Sequence, residues 1–178
     1  MNRTLFLDRD GIINVDHGYV YKPQEFEFVD GIFEVCRYAQ ELGLQIIVIT
    51  NQSGIARGMY SEQDFLKLSE WMKAEFIKEQ VIITDVYFCP HHPTKGLDAY
   101  KIACDCRKPK PGMILSAAKK HNIDLKQSIF IGDKTSDMTA AQDAGIHNRI
   151  LVSGKYSDDG AIWAHRIEDI KQAIAYID

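Results

Sequence analysis

A doubly wound α/β fold on a parallel sheet is what this sequence predicts, and three features predict it. Short apolar runs recur along the chain, helix-patterned segments separate them, and polar, chemistry-bearing clusters close them. Strands separated by helices pair in parallel through right-handed crossovers. Leu5–Asp8 reads as the first strand. Gly31–Leu42 carries Ile32, Cys36, Ala39 and Leu42 on one helical stripe, with Gly43 as its stop. Gln45–Thr50 is a second buried strand, rich in β-branched residues. Ser61 is placed to cap a long helix whose apolar face is Phe65, Leu68, Met72 and Phe76. Asp85–Phe88 follows as a third strand. Pro111-Gly112 opens a helix running to about His121. Ser128–Gly132 is the fourth strand, Asp137–Ala144 a short helix ended by Gly145, and Arg149–Val152 the fifth strand. Ile167, Ile170, Ile174 and Ile177 mark a closing helix.

With 178 residues the chain is expected to form one domain, residues 1–178, large enough to bury a substantial core. Its apolar and charged fractions, 46% and 26%, are those of an ordinary globular protein, which sets aside disordered and fibrous classes. A formal net charge of −4 and the lack of a basic stripe argue against nucleic acid as a partner. No apolar run approaches the roughly 18–20 residues of a membrane span, so no membrane association is expected. Met1-Asn2-Arg3-Thr4 enters the first strand directly, which predicts a cytoplasmic protein without a secretion signal. Four cysteines in a chain of this size do not make a disulfide scaffold, and any cluster among them points to metal. Cys36, on a helical stripe, reads as a small core residue.

Chemistry gathers at the strand ends. Asp8 and Asp10, spaced i and i+2 after Leu5-Phe6-Leu7, offer a nucleophile, an acid/base and oxygen ligands for Mg²⁺. Thr50-Asn51-Gln52-Ser53 supplies a hydroxyl, carboxamides and turn amides suited to an anion. Arg107-Lys108-Pro109 holds an ammonium in a direction that prolines restrict. Gly132-Asp133-Lys134, with Asp137, is another acidic strand end. Each alone also reads as an ordinary turn, a solvated basic turn or an acidic helix cap. Their shared position, at the carboxyl ends of one alternating sheet, makes them a joint signal for a site.

These four pieces resemble the motifs of the haloacid dehalogenase-like (HAD) phosphohydrolases, as Asp8-Arg9-Asp10-Gly11, Ile49-Thr50-Asn51, Lys108, and Gly132-Asp133 with Asp137. The resemblance implies a capless HAD-like Rossmannoid sheet, with Asp8 as nucleophile and Asp10 as acid/base. It also implies Mg²⁺ on Asp8, Asp133 and the Asp10 carbonyl, with Thr50 and Lys108 stabilising charge. Asp137 would orient a metal-bound water or Lys134. The acid role calls for an Asp10 pKa above the free value. Ile12 stands where that family often has threonine, and its side chain is expected to turn into the core.

Two connections, residues 14–30 and 89–110, are long for this architecture and carry functional residue types, which points to function. Cys89, His91 or His92, Cys104 and Cys106 bring thiolates and imidazole together, a set that selects Zn²⁺. The best ligand set is Cys89, His91, Cys104 and Cys106, a closed structural site pinning the loop just before Lys108. The zinc loop, Asp16-His17-Gly18-Tyr19-Val20 and Thr50-Asn51-Gln52-Ser53-Gly54-Ile55-Ala56-Arg57-Gly58 together resemble the heptose-bisphosphate 7-phosphatase family. That resemblance implies a phosphorylated sugar as substrate, contacted by Asp16, His17, Gly18, Tyr19, Asn51, Gln52, Ser53, Arg107 and Lys134, in a monomer. The histidinol-phosphate phosphatases share the fold, the motifs and a comparable zinc loop, and are the alternative. A zinc-stapled binding module without catalysis is the remaining class, and the complete set of catalytic residue types argues against it.

Overall fold

A computed structural model describes the whole chain, residues 1–178. Six parallel strands form one sheet in the order β3-β2-β1-β4-β5-β6. They are β1 (Thr4–Leu7), β2 (Gln45–Asn51), β3 (Asp85–Cys89), β4 (Ile129–Gly132), β5 (Asn148–Val152) and β6 (His165–Ile167). Five α-helices accompany them: α1 (Ile32–Glu41), α2 (Ser53–Ala56), α3 (Glu62–Lys78), α4 (Gly112–His121) and α5 (Thr135–Ala144).

Strand periodicity sorts the core into two layers. Successive side chains point to opposite faces, so Leu5 and Leu7 join Ile46, Val48, Ile129, Ile131 and Ile150 under α1 and α3. Phe6 faces the other way with Ile47, Ile49, Phe130 and Leu151, beneath α4 and α5. Strands covered on both faces read as unbroken apolar runs, which is why β1, β2 and β4 are plain in the sequence. Cys36 is fully buried in the first layer, and Ile12 is buried there as well. Ser61 caps α3 through a reciprocal box: its hydroxyl accepts from the Asp64 amide while the Asp64 carboxylate accepts from the Ser61 amide.

Three local expectations need correction. Leu42 lies beyond the last turn of α1 and is exposed, and Val35 takes the stripe position instead. The residues after Gln52 wind into the short helix α2 rather than a plain turn. The closing α-helix is a 3₁₀ segment, Ile170–Tyr176, preceded by the edge strand β6 that Ile167 ends. Ile167, Ile170 and Ile177 are nevertheless buried, so the apolar spacing marked core contacts correctly but not the winding that delivers them.

The long connections stay on the sheet's carboxyl side as loops, with 3₁₀ turns at Pro23–Glu25 and Asp98–Tyr100. All four cysteines are unbridged, and no helix is long and apolar enough to cross a membrane.

Candidate active site

The strand order reverses between β1 and β4, and in a doubly wound sheet the crevice beyond such a reversal receives the ligand. Asp8 follows β1 and Asp133 follows β4. Carboxylate oxygens of Asp8, Asp133 and Asp137 lie within 4.8 Å of one another, and all three residues are buried. Gly11 makes the approach possible: at φ +94° it takes a left-handed turn, and a Cβ there would collide with the Asp133 carboxylate.

One ammonium faces this acidic group. Lys108 Nζ lies 2.9 Å from Asp8 Oδ1 and 2.6 Å from Asp137 Oδ1, and donates to the Ile49 carbonyl at 2.8 Å. Burial pulls its pKa down, but the charges of Asp137 and Asp8 prevail and hold it above the ordinary lysine range. The carboxylates remain in excess. Burial and Asp137 push Asp8 up against the pull of Lys108 and Lys134. Burial, Asp8 and Asp137 drive Asp133 up to about 9. Asp133 Oδ1 is also buried without a hydrogen-bond partner. Excess negative charge and an orphaned carboxylate oxygen are what a hard divalent cation fits.

Asp137 holds Lys134 by its backbone amide and Lys108 by its ammonium. Its second oxygen accepts the backbone amides of Asp133 and Lys134, which caps α5, while the first pairs with the Lys108 ammonium. Asp137→Ala is therefore expected to destabilise the fold by about 3 kcal/mol, through a lost cap and a half-stranded buried lysine. Urea denaturation measures this, and a loss under about 1 kcal/mol would contradict the pairing.

Asp10 sits among donors. Its Oδ1 accepts from Arg9 Nη2 at 3.0 Å and Asn14 Nδ2 at 3.1 Å, and its Oδ2 from Gln52 Nε2 at 3.2 Å. Burial raises the Asp10 pKa, but the Arg9 charge and these three donors outweigh it, and the group lies below the ordinary carboxylate value. The surroundings thus shift the Asp10 pKa down, not up as expected. Gln52 is itself buried: Nε2 also donates to Thr50 Oγ1 at 2.8 Å, while Oε1 accepts from Tyr60 at 2.5 Å. Arg9 is almost wholly buried between the Phe26 and Phe65 rings, and Nη2 also donates to the Val20 carbonyl.

A cavity of about 610 Å³ opens over these groups. Asp10, Asn51, Gln52, Ser53 and Lys108 line its floor and near wall. Asp16, Gly18, Tyr19, Arg107 and Lys134 line it too, so the structure gathers nearly every sequence-predicted substrate residue. Asn51 locks Lys108 in place by a reciprocal pair, donating to its carbonyl at 3.1 Å and accepting from its amide at 3.0 Å. His17 falls outside: it pairs with Glu27 at 2.7 Å on the outer face of the 14–30 loop. Arg9, Asn14, Tyr60, Lys155 and Tyr156 were not foreseen. A signal existed for the last two, since they follow β5 as the recognised motifs follow β1, β2 and β4.

Cys89 Sγ, His91 Nδ1, Cys104 Sγ and Cys106 Sγ lie within 4.8 Å of one another. Cys89 and Cys104 are 3.5 Å apart, and His91 Nδ1 is 3.4 Å from Cys106. Three thiols and one imidazole converging this way form a set that can hold a metal ion. His92 turns away, its Nδ1 accepting from the Thr94 and Lys95 amides.

The chain is similar in sequence to several heptose-1,7-bisphosphate 7-phosphatases. A D-glycero-β-D-manno-heptose-1,7-bisphosphate 7-phosphatase of Vibrio cholerae serotype O1 is 51% identical over 149 residues, covering 84% of this chain and 80% of the relative. The chain belongs to the heptose-bisphosphate 7-phosphatase family. Another member, from Burkholderia mallei, is 52% identical over 151 residues, covering 85% and 80%, and its name specifies the α anomer. A model described as HAD-hydrolase-like matches residues 105–174. The crystal structure of a D,D-heptose 1,7-bisphosphate phosphatase from B. bronchiseptica, complexed with magnesium and phosphate, superposes with a TM-score of 0.81. Its identity is 27%, and the match covers 97% of this chain and 96% of that one. The heptose-bisphosphate 7-phosphatase family thus accounts for the fold from end to end.

Proposed function

We propose that this chain is a Mg²⁺-dependent phosphatase that removes the C7 phosphate of D-glycero-D-manno-heptose 1,7-bisphosphate through an aspartyl-phosphate. The observation that carries the reading is the buried Asp8–Lys108 pair, 2.9 Å apart, whose lysine lines a cavity that Arg107, Lys134 and Lys155 line as well. The Asp8 carboxylate attacks phosphorus and the bond to the C7 oxygen breaks. Asp10 gives its proton to the departing oxygen, then takes one from the water that attacks the aspartyl-phosphate, releasing phosphate and restoring Asp8. Arg9, Asn14 and Gln52 hold the Asp10 pKa low and favour its carboxylate. A phosphate dianion brought beside it raises its proton affinity, as like charge does, so Asp10 takes up from solvent the proton that it then donates. Thr50 and Lys108 neutralise charge on the transferring oxygens.

Asp8, Asp133 and the Asp10 carbonyl would hold Mg²⁺, which supplies positive charge where phosphate and nucleophile otherwise repel. Cys89, His91, Cys104 and Cys106 would hold a structural Zn²⁺. Arg107, the residue after the last thiol, suits the second phosphate, because a guanidinium grips an anion bidentately. Asp16, Gly18, Tyr19, Asn51, Ser53 and Lys134 would contact the substrate, whereas the buried Gln52 would act by holding Asp10 and Thr50. The protein is taken to act as a monomer, and four unbridged cysteines suit a reducing cytoplasm.

The test is phosphate release with Mg²⁺ from both anomers of the heptose bisphosphate, histidinol phosphate and a 3′-phosphorylated oligonucleotide. Release at C7 with strong preference for a heptose is expected. Preference for histidinol phosphate would overturn the substrate, and no release from any would overturn the catalytic reading.

A further inference from the structure

The segment that follows β5 carries none of the motifs that identify the site, yet it forms one wall of the cavity. Tyr156 and Lys155 line it together with Asn51 and Arg107. The Tyr156 hydroxyl donates to Asp16 Oδ2 at 2.8 Å, joining positions 140 residues apart in sequence. Lys155 Nζ adds an ion pair to the same oxygen at 3.9 Å, and the other Asp16 oxygen accepts from the Gly18 amide at 3.1 Å. The ring of Tyr156 also supports Lys134, whose ammonium lies 4.3 Å from its centroid.

The loop tied down in this way needs holding. Gly18 and Tyr19 both have positive φ, +83° and +51°, and for tyrosine that backbone is unfavourable and persists only where its surroundings enforce it. Within the loop, the Asp16–Gly18 hydrogen bond sets the turn. From outside, the Tyr156 hydroxyl fixes the carboxylate that makes that bond. Gly18 and Tyr19 then face the cavity where the part of the substrate beyond the transferred phosphate must lie.

We infer that Tyr156 is a specificity-determining positioning residue: through Asp16 it holds the 16–19 loop against the sugar, and through its ring it steadies Lys134. The inference rests on the phosphatase reading above and extends it to a residue of the β5–β6 connection. Hydroxyl and ring have separable effects. The hydroxyl serves the loop, hence the sugar moiety; the ring serves Lys134, which lies near Asp8 and Asp133 and so acts on any phosphate ester.

The experiment compares kcat/KM for heptose 1,7-bisphosphate and for p-nitrophenyl phosphate, both with Mg²⁺, in wild type, Tyr156→Phe and Tyr156→Leu. In Tyr156→Phe the ratio of the two values falls about tenfold, mostly through KM for the sugar, as expected for a lost ground-state contact. Tyr156→Leu lowers the ratio as far and also depresses kcat/KM for both substrates, because Lys134 loses its platform. A role in folding alone would lower both substrates together in Tyr156→Phe and leave the ratio unmoved, which overturns the inference. A wild-type enzyme without preference for the sugar overturns both the proposed substrate and this role.

Discussion

Asp8→Asn is expected to abolish turnover, lowering kcat at least about 10⁴-fold, the scale on which removal of a covalent nucleophile acts. The substitution keeps the shape of the side chain and an oxygen that Lys108 Nζ can still reach, so the loss reports on nucleophilicity rather than packing. Intact mass measured after an acid quench should show a phosphoryl adduct on wild type and none on the variant. Stability should move the opposite way. The Asp8 pKa is raised in the fold, chiefly by burial and by Asp137, so ionisation at neutral pH costs the folded state free energy. That cost is absent below the unfolded pKa and grows as pH rises toward the folded one. Asparagine carries no such cost, so the Mg²⁺-free variant should melt above wild type at pH 7, and the gap should shrink when Mg²⁺ is added. Multiple turnover at a wild-type rate would remove Asp8 from the nucleophile's role.

The parts of this molecule that were legible in the sequence share a physical property: one local pattern determined each of them. β1, β2 and β4 are buried on both faces, so their residues are apolar without a break. Asp8, Thr50 and Asp133 could be paired across long separations because each ends or follows such a run. β6 was not legible, since three residues at a sheet edge cannot declare a period, and the isoleucines beyond them repeat at a spacing that α and 3₁₀ windings nearly share. The donors that lower the Asp10 pKa were not legible for a related reason. They come from Arg9, Asn14 and Gln52, on two separate loops, and no spacing within one segment announces that they converge. Arg9 is the extreme case: composition places arginine at the surface, whereas this one is buried between aromatic rings.

With Zn²⁺ on the cysteine–histidine cluster as proposed, its removal should separate substrate binding from chemistry. Between Cys89 and Cys106 the backbone forms only a 3₁₀ turn, and few hydrogen bonds tie it elsewhere, among them Leu97 N to the Ala56 carbonyl and Gly112 N to the Asp105 carbonyl. A metal joining Cys89 to Cys104 closes a loop of about 15 residues, worth about 3 kcal/mol by the loop-closure relation for cross-links. Cys104→Ser with Cys106→Ser is therefore expected to lose bound zinc and about 3–5 kcal/mol of stability, read by metal analysis and denaturation. The two residues after the cluster should respond differently. Arg107 is held by a single long bond, 3.4 Å to the His91 carbonyl, within the loop that a metal on the cluster would organise. Lys108 is held independently, by the reciprocal Asn51 pair and by Asp8, Asp137 and the Ile49 carbonyl. Loss of metal should accordingly raise KM for a bisphosphate tenfold or more, on the order of 1.4 kcal/mol of lost binding, and reduce kcat far less. An equal fall in kcat for the bisphosphate and for p-nitrophenyl phosphate would show that the metal organises Lys108 as well. Unchanged KM and unchanged stability in the zinc-free double variant would show that the cluster organises neither, and that the loop takes its shape from Cys89, Ala56 and Gly112 contacts alone.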